Sequence, residues 1–168
     1  MRKRKKATVY GLFILYLMLL VWVILFKMAA SFSEIASWEP YRSVNLIPFF
    51  YDTETSGHLS EVVWNGIAFI PFGIFLRMMD RNPVPTILMG AGFSFLLETL
   101  QFTFRIGATD VTDLIMNTGG TAIGVLLYAV AERLLVRKER VDELFLTLAV
   151  IGTVFLFLFL IVVVVMNA

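Results

Sequence analysis

Residues 98–117 read ETLQFTFRIGATDVTDLIMN, and they set Glu98, Gln101, Arg105, Asp110, Asp113 and Asn117 between two otherwise apolar runs. A charge at bilayer depth costs roughly 2.5–3.5 kcal/mol on insertion scales unless it finds a partner or water. Six polar groups in such a setting call for a common polar site. Their spacing agrees: 98, 101 and 105 follow i, i+3, i+7, and so do 110, 113 and 117, which makes one stripe on each of two helices. A short connection containing Gly107 marks a turn between them, so the stripes are expected to face each other across an antiparallel hairpin.

The rest of the chain supports a membrane setting. It is 59% hydrophobic and only 16% charged, and its mean hydropathy is +0.84, well beyond the soluble norm. Uncharged runs cover Ala7 to Phe26, Val62 to Leu76, Asn82 to Leu97, Leu114 to Ala131 and Leu144 to Ala168. A helix needs about 20 apolar residues to cross the hydrocarbon. The first and last runs reach this outright, and the middle three do so if Arg77, Glu98 and Arg133 lie at helix ends or inside the bundle. The reading is an all-α helical bundle and a single domain, 1–168, with five spans at about 7–28, 62–79, 84–104, 113–134 and 144–166. Period-2 alternation is lacking, which argues against a membrane barrel.

Basic residues set the orientation. With the N-terminus inside, the run Arg2-Lys3-Arg4-Lys5-Lys6, Arg77, Arg81, Arg133, Arg137, Lys138 and Arg140 all fall on the cytoplasmic side, leaving only Lys27, Arg42 and Arg105 outside. The positive-inside rule favours that arrangement. The N-terminal basic run is therefore a topology anchor and not a nucleic-acid patch. The first span exceeds the core of a signal peptide, and Ala29, Ala30 and Ser31 make only a weak cleavage site, so a retained anchor is expected. With no cysteine, disulfides and thiolate metal sites are excluded.

Between spans one and two lies the long segment Ala29 to Glu61. Its Trp38, Tyr41 and Tyr51 favour the headgroup layer, and its apolar stretch from Asn45 to Tyr51 is too short to cross, so this piece is expected at the interface or folded back into the bundle. Each polar residue also has an ordinary structural role open to it. Asp110 fits a helix N-cap and Asp113 a first-turn acid, while Arg105 fits an interfacial snorkeler or a counter-ion for Glu98 or Asp113. Asn65 fits a cross-helix hydrogen bond, and Gly120-x-x-x-Gly124 fits close helix packing. His58 alone makes no zinc site and is read as a loop residue. The chain holds no nucleophile elbow, phosphate loop or dinucleotide fingerprint.

Four pieces in order, Asn45-Leu-Ile-Pro-Phe49, Asn65-x-x-x-Phe69-Ile-Pro-Phe-Gly73, Glu98-x-x-Gln101 and Asp110-x-x-Asp113-x-x-x-Asn117-x-x-Gly120-x-x-x-Gly124, resemble the VanZ-like membrane proteins. The resemblance runs from Asn45 to Gly124, about half the chain. Many members carry a further acid where this chain has Thr112. The resemblance implies a multi-pass protein of the bacterial plasma membrane that acts at the cell envelope. The namesake of the family lowers susceptibility to teicoplanin, a glycopeptide that binds cell-wall precursors, without remodelling the D-Ala-D-Ala terminus.

Two kinds of function follow for an outward-facing site of Glu98, Gln101, Arg105, Asp110, Asp113, Asn117 and Asn65. One is a non-catalytic modulator that binds a lipid headgroup, cell-wall precursor or glycopeptide, with no cofactor. The other is an enzyme in which Glu98, Asp110 and Asp113 hold Mg²⁺ and act on a phosphorylated outer-leaflet lipid or precursor. The first is favoured. Paired acids crowded at one face and the lack of internal repeats argue against a transporter.

Overall fold

The computed structural model describes residues 3–26, 39, 41–49, 56–79 and 82–167. Helix α1 (Lys3–Phe26) is followed by strand β1 (Tyr41–Asn45), helices α2 (Ser56–Ala68), α3 (Ile70–Met78) and α4 (Pro83–Phe104), strand β2 (Ile106–Asp110), and helices α5 (Val111–Leu135) and α6 (Lys138–Asn167). Among the described residues, three segments are long and apolar enough to cross a membrane: Lys6–Leu25, Pro83–Phe104 and Val111–Leu135. Val62–Met78 is a shorter apolar stretch, and α6 contains the last expected span. The expected interfacial Trp38 and Tyr51, and the weak cleavage site at Ala29 to Ser31, lie outside the described residues.

Helix α1 has distinct exposed and core-facing sides. Tyr10, Ile14 and Met18, four residues apart, form an exposed apolar stripe, while Val9, Leu20 and Ile24 are buried. An apolar stripe turned outward on a helix of this length suits hydrocarbon, not water.

The expected span over 62–79 is not one continuous helix. It breaks at Phe69, where Phe69 N–H reaches back only three residues to the carbonyl of Gly66 at 3.1 Å. Pro71 is the cause, since it brings no N–H and is tolerated only in the first turn of the new helix α3. The carbonyl of Ala68, the last residue of α2, accepts from the Tyr16 hydroxyl of α1 at 2.7 Å. A side-chain donor thus serves this helix-end carbonyl, as burial in an apolar bundle requires.

Helix α5 is the centre of the bundle and packs on α2, α3 and α4. Its contact with α2 and α3 is made by glycine. A Cβ at Gly120 would land on the carbonyl of Gly66, and one at Gly124 on the carbonyl of Ile70. Gly73 answers from the other side, where a Cβ would strike the carbonyl of Thr121. The expected packing role of Gly120 and Gly124 therefore holds, with Gly66 and Gly73 as their partners. Around this seam lie two apolar clusters, one built on Leu20, Phe69, Phe72 and Leu97, the other on Val9, Phe75, Met78, Tyr128 and Val141.

Beyond its helices the structure adds a parallel two-stranded ribbon that the all-α reading lacks. Strand β1 pairs with β2 in the register Tyr41↔Ile106 to Asn45↔Asp110. The turn chemistry also differs from expectation. Gly107 sits inside β2, opposite Arg42. The reversal after α4 is made instead by Arg105, which takes a left-handed conformation at φ 58 and sends its N–H back to the carbonyls of Gln101 and Phe102. His58, read from sequence as a loop residue, falls in the first turn of α2.

Candidate functional site: a buried carboxylate–amide network

Residue Asp110 ends β2 and begins α5, and this double position organises the site. Its Oδ1 accepts from Thr112 N–H at 2.7 Å, a side-chain N-cap. Its Oδ2 accepts from Asn45 Nδ2 at 3.1 Å. Its own N–H donates to Glu98 Oε2 of α4 at 3.1 Å. Thr109 adds a hydroxyl bond to the Glu98 carbonyl at 3.2 Å. Glu98 and Asp110 are both buried. One aspartate thereby joins the end of α4, the start of α5 and the strand that arrives from 65 residues upstream.

The segment after β1 is pinned by the same network. Asn45 Oδ1 accepts from Ile47 N–H at 3.1 Å, an Asx turn. Thr112 Oγ1 then accepts from Phe49 N–H at 3.0 Å, and Phe49 takes a left-handed φ of 57. Thr112 fills the place where many VanZ-like proteins have an acid. Here it holds main chain.

A second pair lies beside the first. Asn65 Nδ2 of α2 donates to Asp113 Oδ1 of α5 at 3.2 Å, and both side chains are only half-buried. Asp113 and Asp110 both lie near enough to act electrostatically on Glu98. Among the carboxylates of the site, Asp113 is the accessible one, and Asn65 orients it.

Gln101 and Asn117 sit elsewhere in the stripe. Gln101 Nε2 donates to the carbonyl of Ile24 at the end of α1 at 3.0 Å. Asn117, fully buried, donates to Ser94 Oγ of α4 at 3.0 Å, while its carbonyl receives Thr121 Oγ1 at 3.1 Å. Gln101 Oε1 and Asn117 Oδ1 have no hydrogen-bond partner among the described residues. Both amides hold helices together across the bundle.

Arg105 does not join the cluster. Because α4 ends at Phe104, residue 105 leaves the helical stripe, and its side chain is exposed at the turn. It forms no salt bridge with Glu98 or Asp113 among the described residues. The expected outer-mouth unit of Glu98, Arg105 and Asp113 is thus reduced to its two acids.

Sequence reasoning missed Asn45 and Thr112 as site residues, although both stand inside the quoted motifs. It also missed a second polar cluster at the far end of the bundle. There Arg77 Nη2 meets Glu132 Oε2 at 2.9 Å, Tyr128 OH donates to Asp142 Oδ1 at 2.7 Å, and the Arg77 guanidinium lies 5.3 Å from the centroid of the Tyr128 ring. These contacts fasten α3 and α6 to α5.

Comparison with known proteins follows the same residues. The sequence model of the VanZ/LLP1 family matches residues 13–135, a range that takes in the whole network and stops before α6. Protein VanZ of Enterococcus faecium is 36% identical over 131 residues, which is 77% of this chain and 78% of that protein. No solved structure matches the chain. This chain belongs to the VanZ/LLP1 family.

Proposed function

We propose that this is a multi-pass protein of the bacterial plasma membrane, with five spans and a cytoplasmic N-terminus, that modulates susceptibility to teicoplanin-type glycopeptides without catalysis. Its outward-facing Asn65–Asp113 pair binds a lipid headgroup, a cell-wall precursor or the glycopeptide itself. The observation that carries this reading is the division of labour among the acids. Asp110 has both carboxylate oxygens engaged in holding backbone and Asn45, Glu98 is turned to the Asp110 N–H, and Asp113 is presented half-exposed by Asn65. Such a preorganised carboxylate–amide pair suits recognition of hydrogen-bond donors.

The alternative has Glu98, Asp110 and Asp113 together holding Mg²⁺ through their carboxylate oxygens. Among the described residues no three His, Cys, Asp or Glu side chains are placed to hold a metal ion.

Expression in a teicoplanin-susceptible bacterium tests it. The wild-type chain should raise the inhibitory concentration of teicoplanin, and Asp113→Asn or Asn65→Leu should remove most of that rise at equal membrane abundance. An unchanged inhibitory concentration with the wild-type protein present in the membrane, or full protection by Asp113→Asn, would overturn the proposal.

A further inference from the structure

The segment that follows β1 turns its apolar side chains outward. Leu46 is 75% exposed, Ile47 59% and Phe49 53%, and Val44 within β1 is 52% exposed. Burying a side chain of this kind is worth about 1.5–3 kcal/mol, so their display in water would be costly. Yet the backbone is fixed in this arrangement. Asn45 is tied to Asp110 and to Ile47 N–H, Phe49 N–H is tied to Thr112, and Phe49 adopts a left-handed φ of 57, which is unfavourable for a bulky residue. The fold holds these residues out instead of letting them collapse inward.

Their depth can be read from the same bonds. Thr112, which holds Phe49, lies in the first turn of α5, a helix long and apolar enough to cross a membrane. The tip is thus level with the boundary where that helix leaves the headgroups for hydrocarbon. Trp64, beside Asn65 on α2, is also exposed, and tryptophan favours this same boundary. The tip and Trp64 thus expose apolar side chains at the same end of the bundle, beside the first turn of α5.

We propose that the Leu46–Phe49 tip is a membrane-docking wedge, seated in the headgroup–acyl boundary of the leaflet next to the Asn65–Asp113 pair. Its partner is the lipid surface itself. The wedge holds the polar pair at the headgroup plane, where a ligand presented by the membrane would meet it. This inference rests on the chain crossing a membrane and not on the identity of any ligand, so it stands or falls apart from the glycopeptide reading.

The absence of native cysteine allows a direct test. Leu46→Cys and Ile47→Cys, each labelled with an environment-sensitive fluorophore, are placed in phosphatidylcholine–phosphatidylglycerol nanodiscs, with Glu139→Cys as a water-exposed reference. Both side chains are exposed, so the substitutions should leave the packed bundle intact, and either variant alone suffices. Labels at 46 and 47 should be quenched more by a lipid carrying a nitroxide high on its acyl chain than by aqueous iodide, with the reverse ranking at 139. Iodide quenching that matches or exceeds lipid quenching at the tip would overturn the proposal. Shielding from both quenchers, the mark of a second copy or another protein on the tip, would overturn it as well.

Discussion

Replacing Gly120 by alanine should sharply lower the yield of folded protein, while the same change at the neighbouring Gly119 should be neutral or stabilising. The two residues are adjacent on α5 and differ only in what they face. A methyl group at Gly120 would run into the backbone carbonyl of Gly66, whereas at Gly119 nothing lies within 4 Å. Backbone cannot swing aside as a flexible side chain can, so α2 and α5 must part. Overpacking of this kind costs about 1–3 kcal/mol. At Gly119 the change instead gains helix propensity, up to about 1 kcal/mol. Gly124→Ala should behave like Gly120→Ala, because its methyl would meet the carbonyl of Ile70. Thermal melting followed by size-exclusion chromatography in detergent would measure the contrast. Equal melting temperatures for the 119 and 120 variants would mean that the helices are not in close contact.

The second large effect is expected at Asp110. Asp110→Ala removes the N-cap of α5, worth about 0.5–2 kcal/mol, and takes the acceptor from the half-buried Asn45 amide, a further loss of about 0.5–1.5 kcal/mol for one hydrogen bond. Asp113→Asn, three residues on, keeps the shape of its side chain at a half-buried position, and it should change stability far less. The two aspartates of one motif are thus predicted to separate, Asp110 as scaffold and Asp113 as contact. Asn45→Ala should weaken the protein less in the Asp110→Ala background than in the wild type, because the bond is already gone. Additive effects within about 0.3–0.5 kcal/mol would show that β1 is not tied to α5 through this pair.

Much of this arrangement was legible in the sequence, and the failures have identifiable causes. Apolar runs located the helices, because burial in lipid writes itself into composition over a whole turn-by-turn stretch. The helical spacing of Glu98 and Gln101, and of Asp113 and Asn117, correctly put each pair on its helix. The meeting of Glu98 with Asp110 followed from a short connection between two antiparallel helices. Arg105 was misplaced because the end of α4 leaves no local signal. The residue in the left-handed cap is an arginine, where glycine or asparagine would be the usual marker, and the nearby Gly107 pointed to the wrong turn. The ribbon was invisible for a different reason. Its strands are five residues each and lie 65 positions apart, and neither shows enough alternation to be told from a loop. Asn45 stood in a quoted motif, but its role depends on that long-range pairing. The Tyr128–Asp142 bond was hidden because each residue, taken alone on its helix, looks like an ordinary aromatic or an acid in the loop-proximal turn.

Asp113 is expected to be the group that meets the ligand, while Asp110 only holds the frame. Binding of fluorescently labelled teicoplanin to the purified full chain in nanodiscs tests that claim most directly. Loss of one hydrogen bond to a charged group is worth about 1.5–3 kcal/mol, so Asp113→Asn should raise Kd by roughly ten- to a hundredfold with an unchanged melting temperature. Saturable binding whose Kd is the same for the wild type and Asp113→Asn would contradict it, and would move the contact away from the Asn65–Asp113 pair.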